Sequence, residues 1–280
     1  MPWISTVFGV DFSGAALSGK TAWLARLDVL PGETKLRLVD VKPLGLLAGD
    51  DAREAVCGYL ADKIRGSDQT FWGMDFPFGL PIELELGDWP DQLEHVAEFV
   101  GNAKDYGRHL VDRTLQRSGS MHIRRRTDRE TKTPFDCYHY RIIYQTFHGM
   151  RDVLRPIADD VETAILPFQY ERLGACRRIV VEACPSSTLK RLGLPHQRYK
   201  QSAGKPVEDV HVQTRRKILR GVKDLVEISP HRRRVLMADS GGDALDAVLA
   251  AVGSWHAVRR IDHESFAGDD RYPREGTVYA

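Results

Sequence analysis

Three short apolar runs in this chain each stop on a carboxylate. Ile4 to Val10 ends at Asp11, Phe71 to Met74 at Asp75, and the β-branched run Ile179-Val180-Val181 at Glu182. Runs of this length bounded by turn or proline signals read as strands, and an unbroken β-branched run reads as a strand covered on both faces. Covering both faces of a sheet takes helices, so these runs confine the chain to the α/β class. A carboxylate where such a strand ends also needs an explanation, because the C-terminal ends of parallel strands line the ligand crevice of an α/β sheet.

The segments between the runs complete the pattern. Trp23, Ala25, Leu27 and Val29 alternate with Leu24, Arg26 and Asp28. Pro31-Gly32 is a turn signal, and Leu36, Leu38 and Asp40 then alternate with Arg37, Val39 and Val41. This is a β-hairpin following the first strand. Asp50-Asp51 offers an N-cap to a helix carrying Ala55, Val56, Tyr59, Leu60 and Ile64, with Gly66 as its stop. From about Leu84 to Pro167 the chain reads as helical and more polar, interrupted by a basic loop near Arg124. Pro185-Ser186-Ser187 begins a short helix, and Val210 to Val222 forms another. Ser240-Gly241-Gly242 then leads into a final helix with Leu245, Val248, Leu249, Val252 and Trp255 along one stripe. The expectation is a mixed α/β sheet, an antiparallel hairpin beside parallel strands.

Composition narrows the function classes. At 280 residues the chain makes one large domain or two small ones. A net charge of +1 excludes a binder that recognises its partner by bulk charge, but the charge is segregated. Pro81 to Glu98 holds six acids and no Lys or Arg, whereas Arg117 to Thr133 holds six bases and two acids, and His211 to Arg234 eight bases and two acids. A neutral protein of this kind can still turn a basic face to phosphates. Cys57, Cys137, Cys176 and Cys184 are scattered without metal-ligand spacing, which argues against a disulfide scaffold or a structural zinc site. The opening MPWISTVFGVD lacks the basic flank of a signal peptide, and no apolar stretch is long enough for a membrane span. A cytoplasmic protein is expected.

The acids form a set. Asp11 in GVDFSGA, Asp75 in GMDFPFG and Glu182 in VVEACPSS are joined by Asp243 and Asp246 in DALDA, three residues apart and so on one helix face. Carboxylates gathered at a strand edge raise one another's pKa unless cations neutralise them, and Mg²⁺ or Mn²⁺ suits hard oxygen donors. Two such ions about 4 Å apart can activate water and stabilise a leaving oxygen in phosphodiester cleavage. Each acid also has a purely structural reading. Asp11 and Asp75 can cap turns, Glu182 can pair with Arg177 or Arg178, and Asp243 with Asp246 can be a solvated helix side. Ala250 and Gly253, which continue that side, favour a closely packed face instead.

GVDFSGA, GMDFPFGLP about sixty residues later, EACPSSTLKRLG and the late DALDAVLAA helix resemble a domain-of-unknown-function family, number 429, of predicted RNase H-like nucleases. The resemblance covers most of the chain. It implies a five-stranded mixed sheet flanked by helices in one domain spanning residues 1–280, with residues 84–167 as a helical insertion. By that similarity Asp11, Asp75, Asp243 and Asp246 hold two Mg²⁺ or Mn²⁺ ions, and Glu182 is an extra ligand or a positioning residue. The reaction it implies is metal-dependent hydrolysis of nucleic-acid phosphodiesters.

Two other features compete or add. Gly14-Ala15-Ala16-Leu17-Ser18-Gly19-Lys20-Thr21 matches the phosphate-loop pattern in full, and Ser13 with Lys20 are its candidate substrate contacts. That motif needs a helix directly after the lysine, whereas period-two alternation from Trp23 predicts a strand with Lys20 at its beginning. A P-loop-type or actin-like-fold ATP/GTP-binding phosphotransferase is therefore the second reading. A non-catalytic nucleic-acid or partner-binding module is the third. Arg124, Arg125 and Arg126, with Arg129 and Lys132, are candidate contacts to substrate phosphates, or else a solvated loop balanced by Asp128 and Glu130. Arg215, Arg216, Lys217 and Arg220 read as a basic helix surface. Tyr138, Tyr140, Tyr144 and Phe147 are dense enough to stack bases, yet their spacing is that of core residues.

Overall fold

The computed structural model of the protein describes all residues except 2, 31, 33 and 202–207. Its frame is one mixed sheet of seven strands: β1 Thr6–Asp11, β2 Trp23–Val29, β3 Leu36–Pro43, β4 Thr70–Asp75, β5 Thr163–Leu166, β6 Arg178–Glu182 and β7 Val226–Glu227. The spatial order is β5-β6-β4-β1-β2-β3-β7. β1, β2 and β3 form an antiparallel meander. β4 lies parallel to β1, β6 to β4 and β5 to β6. The Pro31 half of the hairpin turn lies outside the described residues.

Period two divides the apolar residues of the strands between two cores. Phe8, Val10, Trp72, Met74 and Val180 face one side, against the helix Arg53–Arg65 and the helices of the 84–167 segment. Val7, Phe71, Ile179 and Val181 face the other, against Asp243–Val258 and Asp209–Gly221. The helix Asp243–Val258 packs across β1, β2 and β4 and is buried from Ala244 to its end. It lies unusually close because Gly9 and Gly73, register partners on β1 and β4, face it without side chains. A Cβ on Gly73 would stand 2.6 Å from the Ala250 carbonyl oxygen, and one on Gly9 2.8 Å from the Ala251 methyl. Real Cβ atoms need more room than that, so larger residues would force helix and sheet apart. Gly253, farther along the helix, packs against Thr188.

Several expectations need correction. Seven strands replace five. β5 falls inside the stretch read as helical, because four residues (TAIL) are too few to interrupt a helical pattern and their pairing with β6 decides their state. β7 has two residues and is held by β3. The remainder of the 84–167 segment is mainly helical, with Trp89–Glu98 and Ala103–Ser118 its longest members. Ala52, not an aspartate, occupies the N-cap of Arg53–Arg65, while Asp50 Oδ1 accepts the Ala52 N–H at 2.9 Å. Asp243–Val258 is not final. Short helices His263–Ala267 and Tyr272–Glu275 follow, and the chain then returns to β6, where the Tyr279 N–H donates to the Glu182 carbonyl at 2.9 Å. Among the described residues no helix is long and apolar enough to cross a membrane.

Candidate metal centre

The parallel register of β1 and β4 sets Asp11 directly beside Asp75 at the C-terminal ends of both strands. Both residues share parity with Gly9 and Gly73, so their side chains point to the face covered by Asp243–Val258. The first turns of that helix lie over these strand ends and bring Asp246 down between them. One carboxylate oxygen from each of Asp11, Asp75 and Asp246 lies within 4.8 Å of the other two. Asp11 and Asp246 are buried and Asp75 is half-buried. Three hard oxygen donors from three rigid elements, at one strand edge, fit a divalent cation of the Mg²⁺ or Mn²⁺ type. The Asp11 and Asp75 carboxylates are hydrogen-bonded to no donor among the described residues, which leaves their oxygens free for such an ion.

The electrostatics have a different leading cause from the one the sequence implies. Burial, ahead of mutual repulsion, is what pushes Asp75 up to about 8, with repulsion from Asp246 next. Burial likewise lifts Asp11 well above the usual carboxylate range. Lys200 opposes that rise, and Asp246, Asp243 and Asp75 add to it. Asp243 is raised to about 6, again chiefly by burial.

Lys200 is the residue that sequence reasoning missed. Its ammonium contacts Asp246 Oδ2 directly and lies 3.8 Å from Asp243 Oδ1. Desolvation pulls the lysine down, but Asp246 and Asp11 outweigh it and raise the group well above its ordinary value. Tyr199 also serves the cluster, its hydroxyl donating to Asp246 Oδ1 at 2.8 Å. Arg215 holds this segment against the helix start. It is fully buried, and its guanidinium donates to the carbonyls of Tyr199 at 2.6 Å and Ser240 at 2.6 Å. The expected basic surface at 215–220 therefore loses its first arginine to the interior.

The other candidates are placed as follows. Asp243 sits on the same helix face as Asp246, one turn closer to the N-terminus, and reaches the cluster through Lys200. Glu182 lines the same cleft as Asp11, Asp75 and Asp246 but approaches it from the other face of the sheet. It is the register partner of Met74, so it emerges on the opposite face of the sheet from Asp75. There Oε1 accepts from Arg125 at 2.6 Å, while Oε2 accepts from Arg125 at 2.8 Å and from the Phe78 N–H at 2.9 Å. Its partner is thus Arg125, not Arg177 or Arg178, which pair with Glu162.

Arg125 is 1% exposed, held by Glu182 and by Asp128 at 2.9 Å, and is not a loop residue free to meet phosphate. Arg126 opens the short helix Arg126–Glu130, pairs with Asp269 and lies over the Tyr272 ring. Arg124 donates to the carbonyls of Thr133 and Pro134 and keeps partial exposure.

Lys20 is exposed and belongs to a 3-10 turn, Ser18–Lys20, rather than to a strand; β2 begins at Trp23. The turn arises because Gly19 is wedged against Gly45 and Asp51, and it closes through the Ala22 N–H to the Ser18 carbonyl at 2.7 Å. No α-helix starts at Lys20, as the phosphate-loop pattern would need. Ser13 accepts the Ala15 N–H at 3.4 Å in the turn after β1.

The triad forms the floor of an open cleft of about 480 Å³. One wall carries Thr133, Pro134, Phe135 and Ile142 from the 84–167 segment, and the other His196, Arg198, Tyr199 and Lys200. No family model, curated protein or solved structure gives a significant match to this chain.

Proposed function

We propose that this protein is a divalent-metal-dependent nuclease with an RNase H-like sheet. The observation that carries this reading is the convergence of Asp11, Asp75 and Asp246 within 4.8 Å at the C-terminal edge of adjacent parallel strands. Strand order supports the fold assignment: an antiparallel meander β1-β2-β3, then β4 and β6 added in parallel on the far side of β1.

In this reading the triad binds one Mg²⁺ or Mn²⁺, and Asp246 with Asp243 flanks the place of a second. The Lys200 ammonium between those two carboxylates supports the latter, because it marks where the fold accommodates positive charge. The ions would supply water activation and leaving-oxygen stabilisation. The chain's own residues hold the oxygens rigidly, since Tyr199 orients Asp246 and the glycine saddle fixes the distance from helix to strand. The open cleft admits a polymer; Arg198 and Lys200 line it as cations, and Arg124 adjoins its wall through the carbonyls of Thr133 and Pro134.

Calorimetric titration with Mn²⁺ tests the centre: wild type binds, and Asp11→Asn and Asp75→Asn lose binding at least ten-fold while remaining folded. Incubation with labelled single-stranded, duplex, hybrid and junction substrates then tests the reaction. Undiminished Mn²⁺ binding in both variants, or cleavage that survives chelation, refutes the assignment.

A further inference from the structure

The 84–167 segment presents a feature that neither the fold nor the acid cluster uses. Phe135, on the wall of the cleft, stacks on His139 with centroids 4.6 Å apart and planes 19° from parallel. His139 in turn meets Tyr140 at 4.4 Å. The Arg141 guanidinium lies 5.5 Å from the Phe135 ring centre and 5.7 Å from that of Tyr140, and its Nε donates to the Tyr140 hydroxyl at 3.1 Å. Tyr140 is 70% exposed. The aromatic cluster of the sequence thus divides: Tyr138 and Phe147 are core residues, whereas Tyr140 and, less fully, Tyr144 are exposed.

A large ring left in water normally moves freely. Here the His139 ring and the Arg141 guanidinium brace it, which lowers the ordering cost of stacking a flat ligand. The ladder runs outward from the cleft wall, and Arg124, anchored on the Pro134 carbonyl, stands beside its inner end.

We infer that this ladder is a stacking platform for unpaired nucleobases, and that the substrate of the cleft is single-stranded nucleic acid or a single-stranded flank. The inference rests on the nuclease reading and adds the substrate class. Every base offers a π-face to an aromatic ring, and guanidinium groups beside such rings suit both stacking and phosphate contact. In a continuous duplex those faces are already stacked on one another, so a platform of this kind selects strands whose bases are free.

The test uses the full chain carrying Asp75→Asn, which under the nuclease reading does not cleave, and short oligonucleotides containing 2-aminopurine. The single strand binds with quenched fluorescence and at least ten-fold more tightly than the matching duplex. Adding Tyr140→Ala weakens single-strand binding roughly ten-fold or more, while Tyr140→Phe, which keeps the ring, does not. Tyr140 is too exposed for either change to threaten folding. Equal affinity for single strand and duplex, or binding indifferent to Tyr140→Ala, overturns the inference.

Hydrolysis of bis(4-nitrophenyl) phosphate by the wild-type protein with Mn²⁺ separates the two claims. Hydrolysis without base stacking removes the platform and leaves the phosphodiesterase. Stacking without hydrolysis, in a protein that also fails to cleave nucleic acid, keeps the platform and removes the nuclease.

Discussion

Glu182→Gln should cost stability and leave the proposed metal centre intact. The native carboxylate takes two hydrogen bonds from Arg125 and one from the Phe78 N–H, all in the interior. The amide keeps one acceptor oxygen, loses the charge, and sets an N–H₂ group against a guanidinium. Removing one partner of a buried ion pair costs about 3–5 kcal/mol. Arg125 retains Asp128, which accepts from its Nε at 3.2 Å and from NH2 at 2.9 Å, so the low end, about 3 kcal/mol, applies. In a chain of this size each kcal/mol moves the midpoint by about 2–4 °C, a fall of roughly 6–12 °C in thermal unfolding. Mn²⁺ affinity should change less than about two-fold, because Glu182 leaves the sheet on the face opposite Asp75. Although it lines the same cleft and adds a minor repulsion to Asp75, its oxygens are taken by Arg125 and the Phe78 N–H. Calorimetry on one preparation reads both quantities. A variant of native stability that no longer binds Mn²⁺ would show that Glu182 is a ligand and that the face assignment is wrong.

Three further outcomes follow from the same geometry. Asp75 is raised by burial to about 8, so the native state keeps a proton that the unfolded chain sheds near pH 4, and metal-free stability falls as pH rises between those values. Asp75→Asn should therefore match wild type near pH 4 and exceed it at pH 8, by on the order of a few kcal/mol in urea unfolding; an equal difference at both pH values contradicts this. Lys200→Met removes a cation that competes for Asp246, and should tighten Mn²⁺ binding about ten-fold in calorimetric titration once half-exposure is discounted from the Coulomb energy. Weaker binding would mean that the lysine assists the ion. Gly73→Ala drives a methyl into the Ala250 carbonyl and should cost about 1–3 kcal/mol in urea unfolding, with Mn²⁺ affinity lost as the helix lifts from Asp75. Unchanged stability would show that the helix has room to yield.

The strands were legible where the sequence holds a complete period. Trp23 to Val29 alternates over enough residues to fix both state and facing. Leu36 to Val41 shows the state, but a bulge opposite Arg26 and Leu27 turns Val41 to the same core as Leu36 and Leu38, which the alternation does not foretell. β5 and β7 were illegible for the converse reason: four and two residues carry no period, and their pairing to β6 and β3 makes them strands. The last long helix was legible in more than its stripe. Ala250 and Gly253 on the side of Asp243 and Asp246 signalled a face pressed against something, and Gly9 and Gly73 are the surfaces that receive the neighbouring turns.

The acids and their counter-charges differ in how far a sequence can place them. Asp11 and Asp75 stand out because a carboxylate at the end of an apolar strand carries a burial cost that local context does not offset, and strand parity gives the direction it points. The same parity separates Glu182 from them. Its run Ile179 to Val181 ends on a residue that pairs with Met74, one place short of Asp75, and a single step in register moves a side chain to the other face. That register is set by pairing between segments a hundred residues apart, which no local pattern encodes. The cations are harder still. Forty Lys and Arg residues have long, flexible side chains, and any of them can reach a buried acid once the chain has folded. Arg125 finds Glu182 across 57 positions, and Lys200 finds Asp246 from a segment without regular structure. A cluster of buried carboxylates foretells that some cation must come. Which one comes, a tethered lysine or a divalent ion, is decided by the fold, and here the fold brings the lysine to the very carboxylate that a metal would need.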